Sequence, residues 1–229
     1  MSRVRGGMGP RSLEGLSMRR EGKDLRVVRR ALIAMVALMI GLVSGCGAAR
    51  PSKYYQLTVP ADPGAVEKAD AVPVTLLLGA LMTSHLYRED RIVYGTGAEQ
   101  LGTYEYQRWA EPPTEMIQEV LLRELRASGR YRAVQYRRSN VQGDFALRGH
   151  LYDFKEVTGT QLSARVTLDL EMRDLKNGAT VWTHYYTHDE PASEKNVPAV
   201  VAALDKNVQR GVKEVVESLD QYFASHPVK

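Results

Sequence analysis

The 229-residue sequence predicts an α+β domain with a single sheet, largely antiparallel or mixed, and two helices packed on one face of that sheet. Three observations support this fold class. Residues 162–172 alternate between apolar and polar side chains, which is typical of a strand with one face in water. Residues 112–128 and 197–223 instead repeat apolar side chains at helical spacing, which is typical of helices that bury one face. Short strand-like runs surround both helical segments.

Four strands are predicted before the first helix. In residues 53–59, Tyr55 and Leu57 share one face, and residues 72–82 form an apolar run with Pro73 near its start. Two further runs are separated by glycines, which predicts a hairpin. The runs of this hairpin are residues 91–96 and 103–109.

The first helix is predicted to begin at Pro112-Pro113, because the missing N–H of proline would have no partner in the first turn. Glu111 and Glu115 suit the positive end of the helix dipole. Gly129 is expected to end the helix in a left-handed conformation. The apolar stripe of this helix consists of Met116, Ile117, Val120, Leu121 and Leu125.

Four more strands and a second helix follow. Residues 131–136 and 145–154 are predicted strands, and the dipeptide Asn177-Gly178 predicts a type I′ turn that joins residues 162–172 to a strand at 180–187. The second helix is predicted from its apolar stripe. The stripe consists of Val201, Leu204, Val208, Val212, Val215, Leu219 and Tyr222.

The first 45 residues are typical of an export signal, with nine basic and three acidic side chains. Residues 31–43 are almost wholly apolar, but a helix of 13 residues extends only about 20 Å, less than the ~30 Å hydrocarbon core of a bilayer. A short apolar run after a basic stretch is typical of a secretory signal peptide. We expect translation to start at Met18, because the basic region would then have its usual length.

The one cysteine of the sequence directly follows this leader. Residues 43–46, Val-Ser-Gly-Cys, resemble a lipobox, in which small residues admit the chain to a peptidase and the thiol of Cys46 accepts the lipid. A lone cysteine can also be a small buried apolar residue, but its position favours lipidation, with acyl chains such as palmitate. No thiol would then remain for redox chemistry. The predicted organisation is a signal peptide at 1–45, a lipidated tether at 46–52 and a folded domain at 53–225.

The net charge of +4 belongs to the leader. Beyond residue 45 the chain has 22 basic and 24 acidic residues, a net charge of −2. A nearly neutral domain lacks the electrostatic basis for binding nucleic acid, so we expect no nucleic-acid partner.

The sequence shows no Gly-rich phosphate loop, no nucleophile elbow and no thiolate besides Cys46. We therefore predict a protein that is not an enzyme and needs no cofactor and no metal. His184 and His188 are the nearest approach to a metal site, but four residues of strand separate them by about 13 Å. The favoured interpretation is a solvated histidine pair on a polar face; a metal site would need a bend near His188, and His150 could join it from the neighbouring strand. The whole cluster is His184, His188, Asp189 and Glu190.

Aromatic and arginine side chains are concentrated just before the first helix, where residues 104–113 have the sequence YEYQRWAEPP. Tyrosine, tryptophan and arginine are common at binding hot spots, so Tyr104, Tyr106, Arg108 and Trp109 are candidate partner-binding residues. Trp109 has a second interpretation, in which it lies in the core and holds the hairpin against the helix. Both alternatives stay open at this point.

Five segments together resemble a known family: Tyr-Gln-Leu at 55–57, Arg-Ile-Val-Tyr at 91–94, residues 104–113, residues 121–129 and Tyr-Arg-Ala-Val at 131–134. The chain resembles the auxiliary lipoproteins of ABC-type transport systems, the PqiC-like family, over most of residues 46–223. The Trp-Ala-Glu-Pro-Pro block with its helix is the most specific part. Cys46 carries over as the lipid site, and Arg108 and Trp109 carry over as motif residues.

This resemblance implies a periplasm-facing, non-enzymatic partner of an MCE-domain protein, which works with a permease and an ATPase to move lipids between membranes. It also implies attachment to the outer membrane and a homo-oligomeric ring. Residue 47 is glycine and not aspartate, so the inner-membrane retention signal of enteric bacteria is missing. Two other classes stay open: another outer-membrane assembly lipoprotein, and a lipid-tethered periplasmic ligand-binding module.

Overall fold

The computed structural model describes residues 28–35, 50–61, 71–96, 100–138 and 140–228. The chain divides into two units, Met1–Arg50 and Pro51–Lys229. In the first unit, residues 28–35 are helical and exposed. Met18 and Cys46 lie outside the described residues, so the start site and the lipid site stay predictions. Among the described residues, no helix has both the length and the apolar character needed to span a membrane.

The second unit is an α+β domain with an eight-stranded mixed sheet and two helices, which confirms the predicted fold class. The strands before the first helix end at Trp109, and the remaining four lie between the helices. The elements are β1 Lys53–Tyr55, β2 Val72–Thr83, β3 Arg91–Gly95, β4 Leu101–Trp109, α1 Pro113–Ala127, β5 Tyr131–Tyr136, β6 Phe145–Val157, β7 Ser163–Asp174, β8 Thr180–Pro191 and α2 Val197–Ser225.

Strand β6 is the organising strand of the sheet. Along one edge it pairs antiparallel with β7 over its full length, and β7 pairs in turn with β8. Two strands pair with the other edge of β6. Strand β2 runs parallel to the first half of β6, and β3 runs parallel to the last three residues of β6. Strand β5 extends the sheet beyond β2, and β4 and then β1 extend it beyond β3. The sheet is mixed because the described strands include both parallel and antiparallel pairs.

Both helices pack against one face of the sheet, which we call the inner face; the opposite face is the outer face. The alternation of β7 explains this arrangement, because Ala164, Val166, Leu168, Leu170 and Met172 are all buried on the inner face. Helix α1 lies against β2 and β5, and α2 lies against β7 and β8. The apolar stripes predicted for the helices are buried, except that Phe223 takes the core position at the end of α2 where Tyr222 was expected.

Most predicted elements agree with the structure to within a few residues, and Gly129 has the expected left-handed φ of 61°. Two local predictions were wrong. Strand β1 ends at Tyr55 because the following segment bonds to α2 instead: Thr58 donates its N–H and its hydroxyl to Asp205, both at 2.8 Å. The turn after β7 is a five-residue connection at 175–179 and not a two-residue type I′ turn, although Gly178 has a positive φ of 74°.

Candidate docking surface

The outer face carries a row of in-register residues that crosses four strands. Met82 of β2 pairs with His150 of β6, His150 with Asp169 of β7, and Asp169 with Tyr185 of β8. Tyr152 joins the row, because the His150 ring stacks on it with centroids 4.3 Å apart. Met82 and Tyr185 are each 62% exposed. We call Met82, His150, Tyr152 and Tyr185 the outer-face band.

Two ion pairs lie beside this band, whereas Asp169, within the row, has no ion-pair partner among the described residues. Arg165 binds both carboxylate oxygens of Asp189 at 2.6 Å, and Lys155 contacts Asp153 at 2.6 Å. The hydrogen bond from Arg165 holds the pKa of Asp189 below its ordinary value. Because these four charges are neutralised internally, the apolar and aromatic side chains of the band and the carboxylate of Asp169 are the groups left to contact a partner.

A shallow groove runs along the outer face beside the band. Its walls come from the three strands β6, β7 and β8, so a rigid sheet positions them. Its floor includes a pair of hydroxyls, Thr167 and Thr187, 3.0 Å apart. The side chains that line the groove are Tyr152, Asp153, Arg165, Thr167, Asp169, Tyr185, Thr187 and Asp189.

The structure separates the four residues that the sequence suggested for partner binding. Trp109 is 1% exposed and packs on Phe154 with ring centroids 5.2 Å apart, which supports the core alternative. Arg108 is half-buried and binds Asp90 at 2.7 Å. This ion pair fixes the segment before β3 to the end of β4, so Arg108 also has a structural role.

Tyr104 and Tyr106 lie in a part of β4 that bulges away from β3. Arg91 pairs with Arg108, but Val93 pairs with Thr103, so β4 has three extra residues between these positions. Tyr104 turns inward and donates its hydroxyl to Glu156 at 2.8 Å; burial and this carboxylate raise its pKa. Tyr106 is exposed. Of the four candidates, Tyr106 is therefore the one with a large accessible surface.

The predicted position of the histidines was wrong. His184 and His188 lie on the inner face against α2, not on a polar outer face: the His184 ring stacks on Trp182, and His188 contacts the buried Glu190 at 3.3 Å. His150 lies on the outer face and cannot join them. No group of three or more histidine, cysteine, aspartate or glutamate residues in the described part of the chain could hold a metal ion.

The outer-face band was missed in the sequence, although part of its signal was present. The polar face of 162–172 was predicted correctly, with Arg165, Thr167 and Asp169 pointing outward. What the sequence did not supply was the register of β8, which decides whether Tyr185 or Tyr186 lies beside Asp169. The band depends on that register because neighbouring residues of a strand point to opposite faces.

Comparison with solved structures supports the fold. Protein XCC0632 from Xanthomonas campestris, a DUF330 family member, is 21% identical with a TM-score of 0.63, covering 74% of this chain and 98% of its own. An uncharacterized protein is 12% identical with a TM-score of 0.59, covering 74% and 99%. The PelC dodecamer from Paraburkholderia phytofirmans is 17% identical with a TM-score of 0.38, covering 67% and 96%. No match was found among curated protein sequences.

The inner core, the internally paired charges and the open outer face define a single-sheet α+β domain with a surface suited to binding. A family model described as "ABC-type transport auxiliary lipoprotein component" matches residues 55–216. The chain belongs to this family of ABC-type transport auxiliary lipoproteins. Membership indicates a membrane-anchored, periplasmic protein that associates with an ABC-type transport system, and it confirms the resemblance found in the sequence.

Proposed function

We propose that this protein is the outer-membrane docking component of an MCE lipid-transport system, and that it acts by binding and not by catalysis. Lipid on Cys46 holds the domain at the outer membrane, and the domain faces the periplasm. The outer face binds the MCE-domain protein, whose permease and ATPase complete the system. The domain associates with further copies of itself in a ring.

The observation that carries this proposal is the outer-face band. Met82, Tyr152 and Tyr185 expose apolar surface to water on one sheet face, and covering that surface with a partner is favourable. Aromatic side chains also contribute much of the binding energy at protein interfaces. The pairing of Arg165 with Asp189 beside the band neutralises these two charges, so a partner that covers this face needs a cationic or donor group only for Asp169. Family membership supports a partner in an ABC-type transport system, the sequence resemblance favours an MCE-domain protein within it, and the leader with its lipobox supports the anchor.

The test of partner binding is affinity purification of the detergent-solubilised lipoprotein after crosslinking in its own cells, with identification of co-purified subunits. The wild-type protein should recover an MCE-domain protein with its permease or ATPase. Tyr185→Ser should reduce that recovery at least tenfold, because a true hot spot contributes about 2 kcal/mol or more. The matched control is Tyr54→Ser, since Tyr54 is 64% exposed but lies on the edge strand β1. Recovery of no MCE, permease or ATPase subunit by the wild-type protein would end this assignment.

The test of the anchor is separate. Cys46→Ser should leave an unprocessed precursor or a released product, because the serine hydroxyl cannot take the place of the thiol that accepts the lipid. Metabolic labelling with a fatty-acid probe measures this directly. Equal labelling of wild-type and Cys46→Ser protein would rule out Cys46 as the lipid site.

A further inference from the structure

Asp169 is a half-buried carboxylate on the outer face of β7, and it has no hydrogen-bond or ion-pair partner among the described residues. Its register neighbours on that face are His150 of β6 and Tyr185 of β8. The ring of His150 stacks on Tyr152 and forms no ion pair with the carboxylate. Asp169 therefore keeps an uncompensated negative charge on the outer face.

The basic side chains of the surrounding strands do not neutralise Asp169, because each of them has another partner. Strands β6 and β7 carry four lysines and arginines in all, and β8 carries none. The pairs are Lys155 with Asp153, Arg165 with Asp189, Arg148 with Glu171, and Arg173 with the carbonyl of Gly178. The groove and its two ion pairs thus contain three carboxylates and two cations, so one negative charge remains.

Two exposed tyrosines flank this carboxylate. Tyr152 lies on β6 and Tyr185 on β8, and both line the groove together with Asp169. Strands two positions apart in a sheet lie about 10 Å from each other, so the tyrosines stand on either side of the strand that carries Asp169. A carboxylate beside exposed aromatic rings suits a cation, because the faces of aromatic rings carry partial negative charge.

We infer that the groove binds an arginine side chain of the partner protein, with its guanidinium paired to Asp169 and stacked on the ring of Tyr185. This inference rests on the proposed function, and it names the chemistry that the partner brings to the outer face. A guanidinium is planar, so it can stack on a tyrosine ring and still donate two N–H groups to a carboxylate. A partner without a cation at this position would bury Asp169 unpaired, which is strongly unfavourable.

The charges of the groove favour a protein side chain over the cationic headgroup of a phospholipid. A phosphatidylethanolamine headgroup brings a phosphate together with its ammonium. Asp153 and Asp189 line the same groove as Asp169, and the cations beside them are already paired. The phosphate would therefore meet carboxylates and no free cation, whereas an arginine side chain adds only a positive charge.

The first experiment uses a small probe, so it does not depend on the identity of the partner. Detergent-solubilised protein is labelled with carbon-13 at the threonine methyl groups, and Thr167 and Thr187 on the groove floor report binding by NMR. The probe is Nα-acetylarginine amide, and the control is Nα-acetylcitrulline amide, which has nearly the same shape but no charge. We expect the arginine probe to bind with a dissociation constant at least about fivefold lower.

Two results of this titration would contradict the inference. Equal dissociation constants for the arginine and citrulline probes would show that the groove does not select a cation. Binding of glycerophosphoethanolamine as tight as that of the arginine probe would overturn the choice of a protein side chain, because it would mean that a lipid headgroup fits the groove equally well.

A substitution tests the carboxylate itself. Asp169→Asn keeps the shape of the side chain but removes its charge, so it should abolish the preference for arginine over citrulline. Glu115→Gln, at an exposed carboxylate on α1, is the matched control and should leave that preference unchanged. Thermal unfolding of both variants checks that the fold is retained, and we expect it to be, since Asp169 has no partner to lose. An undiminished preference in folded Asp169→Asn would overturn the role of Asp169.

Crosslinked co-purification separates this inference from the proposed function. Asp169→Asn should reduce recovery of the MCE-domain protein about tenfold, because it removes a charged contact at the centre of the interface. Full recovery by Asp169→Asn, together with lost recovery by Tyr185→Ser, would leave the proposed function in place and overturn the arginine contact. Recovery of no transport subunit by the wild-type protein would end the proposed function but not the cation site, which the NMR titration measures on its own.

Discussion

Tyr186 of β8 donates its hydroxyl to the Oδ1 atom of Asn207 at 2.6 Å, in the core between the sheet and α2. Asn207 is 0% exposed. Its amide donates in turn to the backbone carbonyls of Ala164 and His188, both at 2.8 Å. The buried side chain of Asn207 thus links α2 to β7 and β8 through three hydrogen bonds.

Asn207→Leu should lower the free energy of unfolding by about 2–4 kcal/mol, because it removes the Oδ1 acceptor of the Tyr186 hydroxyl and the amide that donates to two buried carbonyls. Urea unfolding of the anchored protein in detergent, followed by circular dichroism, measures the loss. Gln221→Leu is the control, since Gln221 is exposed on the same helix and should change stability by less than about 0.5 kcal/mol. A loss below about 1 kcal/mol for Asn207→Leu would show that the network contributes little.

The Tyr186 ring packs so closely on Gly211 of α2 that this position requires a residue without a Cβ atom. A Cβ atom there would lie 2.7 Å from Cε1 of that ring. Alanine in place of glycine usually stabilises a helix by about 1 kcal/mol, but we expect Gly211→Ala to destabilise this protein by about 1–3 kcal/mol, because the ring must shift. In a Tyr186→Ala background the same substitution should be neutral or stabilising. Thermal unfolding of the wild type, the two single variants and the double variant measures these differences. A stabilising effect of Gly211→Ala in the wild-type protein would contradict the close contact.

The register of β8 shows what the sequence could not decide. A two-residue turn at 177–178 would pair Asp169 with Tyr186 and place His184 and His188 on the outer face, as predicted. Next to the five-residue connection Arg173 pairs with Thr180, and a bulge between Met172 and Arg173 then shifts the register by one residue, so that Asp169 pairs with Tyr185. A shift of one residue reverses both faces of a strand, so this bulge places Tyr186 in the core and Tyr185 in the docking surface.

Patterns that depend on local spacing were predictable, and those that depend on distant contacts were not. The helices and the face of β7 follow from residue spacing alone. The end of β1 depends on Asp205 and Gln209, more than 140 positions away, which bond to Thr58. The bulge that turns Tyr104 toward Glu156 depends on the pairing of β4 with β3 and on a residue of β6. Such contacts are visible only once the sheet is assembled.

Glu190 gives the stability of the domain a predictable pH dependence. This carboxylate is buried and contacts Lys206, with Arg210 at 3.1 Å. The hydrogen bond from Lys206 lowers the pKa of Glu190, and the charge of Arg210 acts in the same direction. A lowered carboxyl pKa stabilises the folded protein above the unfolded-state pKa of about 4.3 and stops doing so as the pH falls through the folded-state pKa.

Glu190→Gln should therefore cost about 1–2 kcal/mol at pH 7, and the difference from wild type should shrink as the pH falls below about 4.3. Urea unfolding from pH 7 down to pH 3 measures both values. Glu217→Gln is the control, because Glu217 is exposed and its ion pair with Lys213 is long, at 3.9 Å. A cost that stayed constant over the whole range would mean that the charge of Glu190 is not the stabilising feature.

Substitution of Arg108 tests whether the aromatic segment at 104–113 serves folding or partner binding. Its half-buried ion pair with Asp90 joins β4 to the segment before β3, so Arg108→Ala should lower the free energy of unfolding by about 1 kcal/mol and leave co-purification with the MCE-domain partner unchanged. Tyr106→Ala, at an exposed position on the same strand, should leave stability within about 0.5 kcal/mol of wild type. Thermal unfolding and crosslinked co-purification of both variants give the two readouts. Normal stability with lost co-purification for Arg108→Ala would make Arg108 a partner contact, and the docking surface would then extend from the outer face onto β4.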